Sequence, residues 1–229
     1  MSGKGETRAS DVLQRMRDDI LNCQLQPGLK LRFELLRERY GVSFSTLREA
    51  LARLSAERLV LSEGQRGFLV APLSVAELED LTASRVLVER EGLRRSMERG
   101  DDSWEAGILA SFHRMDRLQS RLGAACETDA EWAALHGKFH LALVSACASP
   151  TLLEMRETLF LRSYRYRRLA SDLRPGWQPA ETGHRAIMEQ ALDRSPAALD
   201  LLERHFSEAT AHLLDHAGDL FATDAAAHA

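Results

Sequence analysis

Along the first seventy residues the hydrophobic positions change period several times. Val12, Leu13, Met16 and Ile20 recur at helical spacing and predict a helix from Ala9 to about Cys23. Gln26-Pro27-Gly28 predicts a turn, Leu29-Lys30-Leu31 a short extended piece, and Phe33 to Tyr40 a second helix broken by Gly41. A third helix follows, with Leu47, Ala50, Leu51 and Leu54 on one face at i, i+3, i+4 and i+7. Two β-type runs, Leu59–Leu61 and Gly67–Ala71, are joined through Ser62–Arg66. Helix, helix, glycine turn, helix and hairpin is the order of a winged helix-turn-helix.

Pro72 ends the wing, and Leu73-Ser74 leaves almost no linker. Beyond it the pattern is helical throughout. Ser74-Val-Ala-Glu77 and Thr128-Asp-Ala-Glu131 have the spacing in which side chains cap the first free backbone N–H groups, and Asp102-Ser-Trp-Glu105 offers a similar start. Ser149-Pro150 and Ser195-Pro196 place a capping serine before proline at the first helical position. These signals predict six helices, 75–98, 102–123, 129–147, 150–171, 179–193 and 196–217, with no strand among them. The expected fold is therefore mainly α. Residues 1–72 form a winged helix-turn-helix, 73–74 a short linker, 75–218 an all-helical antiparallel bundle, and 219–229 a flexible tail.

Composition changes this picture little. A length of 229 residues suits two compact domains, and 45% apolar with 28% charged residues is ordinary for a globular chain. No stretch approaches the roughly 18 consecutive apolar residues of a membrane span. The polar opening Met1–Arg8 lacks the apolar segment of a secretion signal, so the expected location is the cytoplasm. Cys23, Cys126 and Cys147 are too few and too scattered for a disulfide framework or a cysteine zinc site. Charge is more informative once divided. The net charge is -4, but residues 1–72 carry 12 Lys+Arg against 9 Asp+Glu, and the remainder 18 against 25. A mildly basic head on an acidic body suits a DNA-binding module fused to a second domain.

Four segments of the head, Gln-Pro-Gly-Leu-Lys-Leu (26–31), Tyr-Gly-Val-Ser (40–43), Thr-Leu-Arg-Glu-Ala-Leu-Ala-Arg-Leu (46–54) and Arg-Gly-Phe-Leu-Val (66–70), resemble the GntR-family winged helix. The apolar face of the third helix leaves Ser45, Arg48 and Glu49 pointing outward near its N-terminus, the end that a recognition helix presents to DNA. By the resemblance, Arg48 is the arginine that contacts guanine or phosphate, and Gly67 lets the wing backbone approach the minor groove, with Gln65 and Arg66 beside it. Ser43, Ser45 and Thr46 supply short hydroxyl donors for phosphate. The other reading of Arg48 is a surface pair with Glu49 or Glu38. Phe44 departs from the family, which commonly has a polar or basic residue there. Either a usual contact is lost, or Phe44 packs against a thymine methyl.

The helical remainder resembles the FCD effector domain of FadR-type GntR regulators. The match rests on His136-Gly-Lys-Phe139-His140-Leu-Ala-Leu, Ala-Cys-Ala-Ser-Pro (146–150), His184-Arg-Ala-Ile187 and Glu203-Arg204-His205. His136 and His140 are one helical turn apart and leave the same helix face. By the resemblance, His184 and His205 join them from the last two helices as metal ligands, and imidazole donors suit zinc or nickel. Where most metal-binding members have Asp, this chain has His136. Either four neutral ligands leave the ion its full charge, or three histidines and a water form the site. Arg85, in Arg85-Val-Leu-Val-Glu89, matches the family arginine that tends to face the effector, where it would fork onto a carboxylate. Its other reading is a surface pair with Glu89. In the run Arg162–Arg168, Arg165 is the candidate to face inward as a second effector-binding residue, against a solvated basic face.

The expected whole is a homodimeric, metal-dependent repressor of operator DNA, released by a small organic acid bound over the metal, and not an enzyme. A metal-dependent hydrolase or lyase is the alternative from another class. Against it, the chain has no His-Glu-x-x-His motif and no evident general base. A regulator with a metal-free effector pocket is the third reading.

Overall fold

A computed structural model describes residues 3–64, 67–173 and 183–221. Among the described residues the head comprises α1 (Gly3–Leu21), α2 (Phe33–Tyr40) and α3 (Phe44–Ala56), with strands β1 (Lys30–Leu31), β2 (Val60–Ser62) and β3 (Phe68–Val70). Gly41 ends α2 in the left-handed region at φ 67, where a side chain would be strained, and so turns the chain into α3. The predicted face of α3 is the buried one: Leu47, Leu51 and Leu54 are each 0% exposed. Each such side chain contributes about 1.5–3 kcal/mol by leaving water, so this face anchors the helix and fixes which residues look outward. The hairpin of β2 and β3 is extended by β1, in the antiparallel order β1-β3-β2, with Leu31 opposite Phe68 and Val60 opposite Val70.

The bundle comprises α4 (Val75–Arg99), α5 (Asp102–Leu122), α6 (Ala130–Val144), α7 (Pro150–Leu173), α8 (His184–Leu192) and α9 (Ala197–Ala217). All six predicted helices are present, and α4 packs against α6, α7 and α9. Ser74 caps α4 by accepting from the Glu77 amide. At α9 the cap position is Pro196, with no side-chain cap bond, in place of the predicted Ser195. At two other starts the cap also differs by one residue from the predicted one. Asp101 caps α5 from the Trp104 amide and Asp129 caps α6 from the Trp132 amide. In both cases the aspartate itself has the extended backbone that aims a carboxylate at the third residue on. The eighth helix begins at His184, just after Gly183, later than the predicted 179. Residues 179–182 lie outside the described residues, and so does the predicted flexible tail (219–229) beyond 221; its start is ordered instead, because Gly218–Leu220 form a helical turn and Phe221 buries its ring against Tyr166.

Three apolar clusters result. One fills the head, with Leu161 and Tyr164 of α7 packed against it. One fills the bundle around Phe112, Phe139 and Leu202. The third lies at the joint, where Cys23, Leu73, Leu78, Tyr166 and Leu213 meet. All three cysteines are free and buried. Among the described residues no helix is long and apolar enough to cross a membrane.

Candidate metal centre and recognition surface

One turn of α6 carries His136 and His140, the first residue of α8 is His184, and His205 sits mid-way along α9. The packing of these helices brings all four imidazoles together in the interior, at 4%, 0%, 8% and 6% exposure respectively. The Nε2 atoms form a chain: His184 to His136, His136 to His140 and His140 to His205 are each 3.2 Å apart. One ligand atom from each residue lies within 4.8 Å of the other three. Tetrahedral zinc with bonds of about 2.0–2.1 Å separates its ligands by about 3.3 Å, so the three short spacings fit a single ion.

The electrostatics favour the same use. Burial first, then the Arg167 guanidinium, holds His136 well below its ordinary range. Burial and the neighbouring imidazoles do the same for His140, and burial with Arg167 pushes His184 down to about 3. The rings of His136, His140 and His184 are therefore neutral and carry lone pairs. Without a cation, each 3.2 Å contact requires one ring nitrogen to donate and its neighbour to accept; a metal accepts from all four. The His140 Nδ1 is buried with no hydrogen-bond partner among the described residues. Trp132 stacks on His136 at 4.9 Å between ring centres and fixes that ring from behind.

A pocket opens beside the histidines, lined among others by Arg85, Trp132, Ser163, Arg167 and Phe206. Arg85 is paired with Glu89, yet not on the surface, and it also reaches the pocket. It pairs with Glu89 at 2.9 Å, but the pair is buried, with the carboxylate 1% exposed, and Arg85 also lines the pocket over the Phe206 ring at 4.2 Å. Arg156, 2% exposed on α7, approaches the same carboxylate at 3.8 Å. Arg85 is thus largely neutralised within the protein. Arg167 is not: among the described residues it forms no ion pair, and its Nη2 lies 3.5 Å from His136 Nδ1.

Arg165 is not brought to this pocket. Its side chain turns to the joint and donates to the Ala71 carbonyl, while Arg167, two residues on, lines the pocket. Two positions along a helix differ by about 200°, so the two side chains leave opposite faces of α7. Sequence reading missed Arg167, Ser163 and the threonine pair Thr82–Thr210, whose hydroxyls are 2.8 Å apart at the pocket. The i,i+4 spacing of Ser163 and Arg167 was the available signal. At the joint, Tyr166 accepts from the Ser74 amide at 3.1 Å and donates to Glu77, which also binds Arg162 at 2.7 Å.

On the head, Ser43, Phe44, Ser45, Arg48 and Glu49 are exposed and Thr46 is half-buried. The Ser43 hydroxyl caps α3 by accepting from the Thr46 amide, and lies 2.9 Å from the hydroxyls of Ser45 and Thr46. Glu49 pairs with Arg53 at 2.9 Å, and Arg48 forms no ion pair among the described residues. Gly67 has φ 98, a conformation that favours glycine, just before β3. Gln65 and Arg66 lie outside the described residues. The Phe44 ring stacks on Phe33 with centres 4.2 Å apart, and Phe33 meets the wing residue Phe68 edge-on at 6.2 Å.

Residues 8–70 match the family described as bacterial regulatory proteins, gntR family, and residues 80–208 match the FCD domain. The chain is 39% identical over 197 residues to an uncharacterized HTH-type transcriptional regulator, BphR, of Paraburkholderia xenovorans (strain LB400), covering 85% of this chain and 80% of that protein. It is 40% identical over 157 residues to the HTH-type transcriptional repressor GlaR of Escherichia coli (strain K12), covering 69% of this chain and 71% of that protein. A crystal structure of a GntR regulator from Rhodococcus sp. RHA1 has the same fold, with TM-score 0.72 and 24% identity over 91% of this chain and 98% of that one.

Proposed function

The chain belongs to the GntR family of DNA-binding transcriptional regulators, of the FadR type with an FCD domain, and we propose that it is a metal-dependent repressor released by a small carboxylate. The observation that carries this reading is the buried chain of four Nε2 atoms at 3.2 Å spacing. FCD domains commonly bind metal, and relatives are regulators rather than enzymes. The name of the E. coli relative, a repressor, supports the sign of regulation.

In this reading His136, His140, His184 and His205 hold zinc or nickel, which supplies a Lewis-acid anchor for a carboxylate oxygen. Four neutral ligands leave the ion's charge uncompensated, so an anionic effector is favoured there. Arg167 offers a charge-assisted hydrogen bond to the same ligand, with Arg85 held behind it by Glu89. Trp132 and Phe206 give the pocket apolar walls. On the head, Ser43, Phe44, Ser45, Thr46 and Arg48, with the wing residues Gln65, Arg66 and Gly67, meet the operator. Residues 1–72 and 75–218 then act as the DNA-binding and sensing domains in the cytoplasm.

Transmission would run along α7. This helix presents Ser163 and Arg167 to the pocket and Arg162, Arg165 and Tyr166 to the joint. A ligand that draws Arg167 inward therefore acts on the element that holds Ala71 and Ser74. Release follows only if the effector binds one arrangement of the heads better than the other. A homodimer would place two heads on a two-fold operator. Leu87 is 73% and Met155 49% exposed on adjoining faces of α4 and α7, an apolar surface suited to a second copy.

The test is elemental analysis of the purified protein beside a His140→Ala/His184→Ala variant. About one zinc or nickel per chain in the wild type, lost in the variant, is the expected result. A chain that contains no metal and cannot be loaded would overturn the metal-dependent reading while leaving a DNA-binding regulator.

A further inference from the structure

The head exposes an aromatic ring where its surface is otherwise hydroxylated and charged. Phe44, the first residue of α3, is 50% exposed. It is flanked by the Ser43 and Ser45 hydroxyls, and the exposed Arg48 stands one helical turn further on. A half-exposed phenylalanine beside polar neighbours is ordinarily free to swing. This one has a backing: Phe33 of α2 stacks on it at 4.2 Å and 27°, and Phe68 of the wing meets Phe33 edge-on. Phe33 thus covers one face of the ring, with Phe68 behind Phe33, and half of the Phe44 surface stays open.

That open face lies at the N-terminal end of the recognition helix, the end that enters the major groove in a helix-turn-helix. The base edges there carry one methyl group, at C5 of thymine; apart from the small C5–H of cytosine, every other feature is a hydrogen-bond donor or acceptor. A rigid ring with no polar atom cannot satisfy those donors and acceptors, and it would leave them dehydrated and unpaired. It does complement a methyl group. We propose that Phe44 is a specificity-determining residue that reads a thymine 5-methyl in each operator half-site, with Phe33 as the positioning residue behind it. This inference rests on the reading of the chain as an operator-binding regulator and adds the base that one residue selects.

The test begins with full-length protein and random duplex DNA, from which the wild type enriches its own operator. Each thymine of that operator is then replaced in turn by uracil, which removes the methyl and leaves base pairing intact. One methyl transferred from water to an apolar contact corresponds to about fourfold in affinity. The expected result is a single thymine per half-site whose uracil form binds the wild type about fourfold more weakly, with no such difference for Phe44→Ala and a partial one for Phe44→Leu. Phe44→Arg is expected to enrich guanine at that position, through its two parallel donors. If no uracil substitution weakens the wild type, the inference falls without recourse to any variant. It falls equally if Phe44→Ala remains as sensitive as the wild type. Failure of the wild type to enrich any sequence would instead overturn the regulator reading, and this inference with it.

Discussion

The guanidinium of Arg165 donates to the backbone carbonyl of Ala71, so that a side chain of the bundle holds the residue that closes the wing. Arg165 is 2% exposed, and the backbone carbonyl of the same residue accepts from the Cys23 thiol at the end of the first head helix. One position of α7 therefore touches the head at two points that are distant in sequence.

Replacing Arg165 by Met keeps the volume and removes the donor. The orphaned Ala71 carbonyl costs about 1–3 kcal/mol, and each kcal/mol lowers Tm by roughly 2–4 °C in a chain of this size. The expected variant melts several degrees lower and responds less to effector in operator-release assays. Unchanged melting and unchanged release would show that this tie carries nothing.

Arg167→Gln separates effector binding from metal binding. Removing one charge-assisted hydrogen bond, worth about 1.5–3 kcal/mol, is expected to raise the effector concentration for operator release by about tenfold or more. Metal content should stay at the wild-type level, because Arg167 is not among the four imidazoles. Loss of metal in this variant would mean that Arg167 supports the histidine cluster instead.

Chelation provides a thermodynamic check. A ligand present at 100 times its Kd stabilises the native state by about 2.7 kcal/mol, so EDTA is expected to lower Tm clearly in the wild type. In the His140→Ala/His184→Ala variant it should do nothing. An equal EDTA effect on both proteins would place the metal elsewhere.

The metal-free protein should also lose stability in mild acid. The folded pKa of His184, about 3, lies below its ordinary value of 6.5 because burial and Arg167 oppose the charge. The unfolded chain then binds more protons between these values, so stability is full above about pH 6.5 and declines continuously toward pH 3. From pH 7 to pH 5 this one group contributes a loss on the order of 2 kcal/mol, and His136 and His140 shift in the same direction. Urea midpoints of chelated protein at pH 7.5 and 5.5 measure it, and midpoints that rise on acidification would contradict the neutral assignment.

Much of this arrangement was legible along the chain, for identifiable reasons. The apolar face of α3 recurs at helical spacing and has one core to face, so its outward residues followed directly. His136 and His140 lie one turn apart, and the resemblance supplied His184 and His205 from distant segments. The basic run of α7 was less readable. Both faces of that helix are occupied, one by the pocket and one by the joint, so density of arginine gave no phase and the choice fell on Arg165 instead of Arg167. The capping aspartates at 101 and 129 differ from the predicted caps because neighbouring polar residues are equally competent in composition, and only backbone angles separate them. The stack of Phe33 on Phe44 joins two helices across a turn, a relation to which no periodicity points.

A histidine at 136, where the resemblance to metal-binding FCD domains implies aspartate, bears on the ions the cell holds in abundance. Magnesium and calcium are hard cations that demand oxygen ligands, and magnesium gives up its water reluctantly. A cluster made of four imidazoles, with no carboxylate among the ligand candidates, offers them none. With four nitrogen donors at the proposed site, the protein would be deaf to that millimolar background and tuned to scarce, nitrogen-loving metals.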